Sequence, residues 1–267
     1  MQEHSTEKKK KKGKAFWRIV FILSILIIIV CAFILIKMYM PAENDVSQFK
    51  NETTTQETQE QTQEETTVPL ADNPIDFESL QEGNPDIYAW ITIPNTLVDY
   101  PVLQSDGDTS DSYYLDHNMY NEYDVYGAIY SQKMTSTDFT DFVSVIYGHN
   151  MKNKSMFGSL HYFEDAEFFE ENEFFYVYTP GHILTYQIVS AYNYDNRHIL
   201  NTFDFHQEED RLEYIDSILN PTSMVSNVRE GIELSEDDNI LTLSTCNGNS
   251  SQRYLVQGVL YDDELTN

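Results

Sequence analysis

Apolar residues are distributed along this chain in three ways. From Ile19 to Ile36 they form the unbroken run "IVFILSILIIIVCAFILI", with one serine and no charge. From position 41 to 73, Thr, Gln and Glu dominate and apolar periodicity almost vanishes. From Pro74 onwards, short apolar stretches are punctuated by turn residues. At 1.5 Å per residue the first run would span about 27 Å, near the thickness of a bilayer core and longer than the apolar part of a signal peptide. The cluster "KKKKKGK" (Lys8 to Lys14) precedes it, and its exit, "KMYMPAEN", lacks a small-residue cleavage site. The expectation is a basic cytoplasmic tail over 1–18, a single-pass membrane anchor over 19–36 and everything beyond it extracellular. Residues 37–73 cannot bury a core and read as a disordered polar stalk. A catalytic-sized domain is expected over 74–267.

Within that domain "DFESLQEGNP" places Phe77 and Leu80 at helical spacing, and Gly83-Asn84-Pro85 ends the helix. "IYAWITI" alternates, with Ile87, Ala89, Ile91 and Ile93 on one side and Tyr88, Trp90 and Thr92 on the other. The stretches "DYPVLQ", "VYGAIYS", "DFVSVIYGHN", "FFYVYT", "GHILTYQIVSAYNYD", "NILTLSTC" and "RYLVQGVLYD" read as further strands. About eight strands with this spacing predict a mainly β barrel or sandwich. "MFGSLHYFEDAEFFEEN" predicts an amphipathic helix. A helical insertion is predicted over Thr202–Asn220, with a stripe at Leu212, Tyr214–Ile215 and Ile218–Leu219.

Charge narrows the partners. The formal net charge is -28, yet residues 1–36 hold seven of the sixteen Lys and Arg and two of the forty-four Asp and Glu. What remains carries nine cations against forty-two carboxylates, which excludes a phosphate-binding surface and hence a nucleic-acid partner.

The chain has two cysteines, Cys31 inside the apolar run and Cys246 at the end of a strand. Across the expected membrane they cannot pair, and a lone thiol at a strand end points to chemistry rather than to a staple. A thiol reacts as its thiolate and so needs a base, and the oxyanion it creates needs a donor. Arg253 opens the next strand, so a hairpin would set it opposite Cys246. His149 ends the strand "FVSVIYG" just past Gly148, as Cys246 ends its own. His4 falls in the expected cytoplasmic tail, His161, His182, His198 and His206 read as surface residues, and His117 stays open. Neither H-E-x-x-H nor C-x-x-C occurs, which argues against zinc, and no cofactor is called for.

Taken together, "TLSTC" (Thr242 to Cys246) followed by an arginine, and "VIYGHNM" (Val145 to Met151) upstream, resemble the signature of sortases. The resemblance continues through "YYLDHNMY", "YGAIYS" and "MFGSL". The N-terminal helix and the helical insertion before the cysteine strand resemble class B. It implies an eight-stranded sortase-type β-barrel and a catalytic triad of His149, Cys246 and Arg253. It also implies that a sorting motif of secreted proteins is cut after Thr and that this Thr is joined to an amine of a peptidoglycan precursor. Leu115, Tyr147 and Ser244 fall in stretches that match substrate-groove positions. The interval from Cys246 to Arg253 is short for the family. A hydrolytic cysteine protease, a pilin-polymerising sortase and a surface binding module stay open as alternatives.

Overall fold

The computed structural model describes residues 20–21, 23–32, 47–50, 70–246, 248 and 251–267. The chain divides into two units, 1–42 and 43–267. In the first, residues 20–21 and 23–32 are helical with exposed side chains. Among the described residues no helix is long and apolar enough to cross a membrane. The expected single-pass anchor over 19–36 is therefore not supported, and neither is the extracellular location derived from it. The expected tail, 1–18, lies outside the described residues.

In the second unit the strands are β1 (Ile87–Thr92), β2 (Asp99–Gln104), β3 (Ile129–Ser131), β4 (Val143–Tyr147), β5 (Phe174–Thr179), β6 (His182–Asp195), β7 (Ser226–Val228), β8 (Ile240–Cys246) and β9 (Gln252–Leu265). The order β5-β1-β2-β3-β4-β8-β9-β6 closes on itself through β5–β6 pairing, and β7 is added beside β6. This is the expected eight-stranded barrel, with one extra strand. The sequence "SNV" of β7 has only one apolar residue, so no pattern announced it.

β1 departs from simple alternation. Ile87, Ala89 and Ile91 are buried as predicted, and so is Trp90 on the opposite side. A second layer covers Trp90. It includes the helix Phe77–Gly83, which buries Phe77 and Leu80. The carboxylate of Asp76 caps this helix by accepting the Ser79 N–H at 3.0 Å, and that bond holds its pKa below the usual value. Part of the supposed stalk joins the same layer. Phe49 packs against the cluster that contains Trp90 and Leu80. Lys50 bridges to Ile75, and its Nζ lies 2.6 Å from Asp99, which also accepts from Trp90 Nε1 at 2.8 Å. Ala71 bridges to Thr266. The folded unit thus begins before Pro74, because a few residues in the polar stretch have specific partners.

Of the two predicted helices, the first does not form as a single piece. "MFGSLHYFEDAEFFEEN" becomes a 3-10 turn, Gly158–Glu164, and a helix, Ala166–Glu171. Asp165 divides them by accepting the Phe168 N–H at 2.9 Å, since a capping carboxylate favours a new helix start. A short helix, Ile199–Thr202, precedes the predicted insertion, which forms one helix, Glu208–Leu219. The second helix buries Tyr214, Ile215 and Ile218, while Leu212 from the predicted stripe is exposed. The Tyr214 hydroxyl meets Thr242 Oγ1 of β8 at 2.9 Å and receives the Gln257 amide of β9 at 2.8 Å. These bonds fix the insertion to the two strands that carry the thiol and the guanidinium.

Candidate active site

Strand pairing accounts for the site. β4 and β8 run parallel, in register from Val143↔Ile240 to Tyr147↔Ser244. Just past that last pair the Gly148 N–H donates to Ser244 O at 3.2 Å, and Thr245 Oγ1 donates to Gly148 O at 2.8 Å. His149 and Cys246 each lie two residues beyond the Tyr147/Ser244 pair, so parallel strands deliver both to one rim. β8 and β9 are antiparallel, and Cys246↔Arg253 is their terminal pair. Gly148 permits the close approach: a Cβ there would lie 2.5 Å from Ile129 Cδ1 and 2.7 Å from the Phe157 ring.

A cavity of about 250 Å³ opens at this rim. Its lining includes all six residues singled out in the sequence: Leu115, Tyr147, His149, Ser244, Cys246 and Arg253. Cys246 is an exposed free thiol, whereas Ser244 is buried beneath it. Leu115 contributes through its backbone as well, because its carbonyl accepts from His149 Nε2 at 2.7 Å. That bond assigns the proton of the neutral ring to Nε2 and leaves Nδ1 as the nitrogen able to take a proton. Arg253 Nη1 donates to Gln252 O at 3.0 Å.

Two tyrosines back the site, with ring centroids 5.6 Å apart. Burial, aided by the charge of a Cys246 thiolate and opposed by Arg253, pushes the Tyr130 hydroxyl up to about 12. Burial also raises Tyr147, again against the pull of Arg253. Both phenols therefore remain protonated beside the thiol.

Four neighbours were not singled out in the sequence. Tyr130 and His198 line the cavity, and His198 Nε2 lies 2.5 Å from Gln132 Oε1. Asn150 donates to the carbonyl of Cys246 at 2.7 Å. His161, expected on the surface, instead stacks on buried Tyr254 with centroids 4.7 Å apart. Its Nδ1 lies 2.6 Å from Glu164 Oε1. The prior signals were that Asn150 belongs to the "VIYGHNM" stretch and Tyr130 to "YGAIYS". His117 stacks on Tyr113 and contacts the Asp116 carboxylate. Among the described residues, no group of three or more His, Cys, Asp or Glu could hold a metal ion.

A family model described as the sortase domain matches residues 91–261. Sortase B of Listeria monocytogenes is 33% identical over 190 residues, covering 69% of this chain and 74% of that protein. The crystal structure of Clostridium perfringens sortase B superposes with a TM-score of 0.59 at 30% identity, covering 70% of this chain and all of that one. A Staphylococcus aureus sortase B–substrate complex gives a TM-score of 0.61 at 25% identity, covering 70% of this chain and 85% of that one. These matches, with the closed barrel and its rim thiol, make the protein a cysteine transpeptidase of the kind that anchors surface proteins. The chain belongs to the sortase family, in class B.

Proposed function

We propose that Cys246 is the nucleophile, His149 its proton partner and Arg253 the oxyanion donor in cleavage of a C-terminal sorting motif after Thr. The observation that carries this reading is the gathering of all three at the end of β4, β8 and β9 around one cavity. The Cys246 thiol transfers its proton to His149, and the thiolate attacks the Thr carbonyl carbon. The charge that develops on the carbonyl oxygen is met by Arg253, which cannot lose its own. Collapse of the intermediate breaks the peptide bond, and the departing amine takes the proton from His149. The Thr acyl group remains on Sγ as a thioester. An amine of a cell-wall precursor then attacks, gives its proton to His149 and releases the thiolate.

Leu115, Tyr147 and Ser244 line the cavity beside the thiol and are assigned to substrate binding. An aromatic wall there favours the acyl acceptor over water. Intact-mass measurement after mixing with sorting-motif peptides tests the reading. A Thr-terminated acyl adduct mapping to Cys246 and absent in Cys246→Ala is expected. An adduct that persists in Cys246→Ala contradicts it.

A further inference from the structure

We infer that Asn150 is a positioning residue for the nucleophile, oriented by His161 and Glu164; the inference rests on Cys246 being that nucleophile. The β4–β8 ladder stops at Gly148, yet Cys246 must keep its place relative to His149 beyond that point. Asn150, the next residue after His149, continues the connection with its side chain. Its Nδ2 donates to Cys246 O at 2.7 Å, and lies 2.9 Å from His161 Nε2.

The hydrogens assign themselves along this chain. His161 Nδ1 sits 2.6 Å from the Glu164 carboxylate, which only accepts, so the ring proton is on Nδ1. Nε2 faces Asn150 Nδ2, an N–H donor whose orientation the Cys246 carbonyl fixes, and so presents a lone pair. It cannot donate to Cys246 O, 3.2 Å away, and accepts one Asn150 N–H instead. The second Asn150 N–H points to the Cys246 carbonyl. An amide has two such hydrogens, so both acceptors are served by one group. The His161 ring is fixed from its face by Tyr254, the residue after Arg253. Glu164 and His161 thus set the amide, and the amide ties the backbone of the nucleophile to that of its proton partner.

Neutral, shape-matched variants separate this role from simple packing. Asn150→Leu keeps the volume and removes both donors. His161→Gln keeps an amide oxygen near the Nε2 position and can accept from Asn150, whereas His161→Leu cannot. The full chain in a Cys31→Ser background, treated with p-nitrophenyl acetate, reports acylation of Cys246 by the p-nitrophenolate burst. The small ester does not need the peptide groove. Asn150→Leu and His161→Leu should each slow the burst about 10- to 100-fold at unchanged folding, the scale of a small misplacement of reacting groups. His161→Gln should recover to within about threefold of the parent.

A parent-like burst in folded Asn150→Leu, or equal slowing in His161→Gln and His161→Leu, overturns the inference. Should Asn150→Leu not fold, the His161 pair decides alone. A burst that survives Cys246→Ala in the same background would instead remove the nucleophile assignment.

Discussion

Cys246 and Arg253 are the terminal cross-strand pair of β8 and β9. The thiol and the guanidinium are therefore held by one hairpin rather than by separate loops. Arg253 bears electrostatically on both Tyr130 and Tyr147, so its charge reaches across the cavity wall.

Arg253→Ala should lower kcat by about 10²–10³ and leave KM within a few-fold, because the oxyanion exists only along the reaction path. Arg253→Lys keeps the charge but loses the planar fork, and should recover little of the loss. Steady-state kinetics check both. A change in KM alone would make Arg253 a substrate-binding residue.

Gly148→Ala should destabilise the domain by about 1–3 kcal/mol, the usual cost of overpacking a full core. The added methyl would meet Ile129 and the Phe157 ring, both fully buried. The N–H of Phe157 donates to His149 O at 3.0 Å, so displacing Phe157 also disturbs the proposed proton partner. Denaturant unfolding and a cleavage assay should both register the change. A variant with parent stability would show that the strand ends relax freely.

Tyr214→Phe removes a hydroxyl that serves Thr242 and Gln257 in a buried cluster, where Ser190 also donates to Gln257 Oε1 at 3.1 Å. The expected loss is about 1–3 kcal/mol in urea unfolding, the cost of leaving a buried amide short of a partner. An unchanged midpoint would mean that Thr242 and Gln257, already 3.2 Å apart, satisfy each other.

Residues 47–50 set a fourth expectation. A fragment over 74–267 should fold, yet melt about 2–6 °C below one over 47–267, because it loses the packing of Phe49 onto the Trp90 cluster. The Lys50–Asp99 pair contributes little to this, being 36% and 43% exposed. Equal melting temperatures by calorimetry would return the domain boundary to Pro74.

The barrel was legible because each of its eight strands carries an apolar run bounded by turn residues. His149 and Cys246 were legible because each ends such a run. Three features were not. β7 lacks an apolar pattern and gains its place by pairing with β6. Trp90 breaks the alternation of β1 because a second layer, which includes the helix Phe77–Gly83 and Phe49, covers it, and no local period within the strand records that. His161 looked like one more polar helix residue, and its position beside Cys246 depends on the 3-10 turn that brings it under Tyr254. The apolar run at 19–36 predicts a membrane anchor from composition alone, whereas among the described residues no helix is long and apolar enough to cross a membrane.

The most direct test of the central claim is product analysis with an amine present. The enzyme is incubated with sorting-motif peptides and triglycine, and the products and the Cys246 peptide are read by mass spectrometry. The account predicts a Thr–triglycine ligation product, a transient Thr-terminated thioester on Cys246, and loss of both in Cys246→Ala and His149→Ala. Hydrolysed peptide alone at saturating triglycine, or ligation that persists in Cys246→Ala, would contradict it.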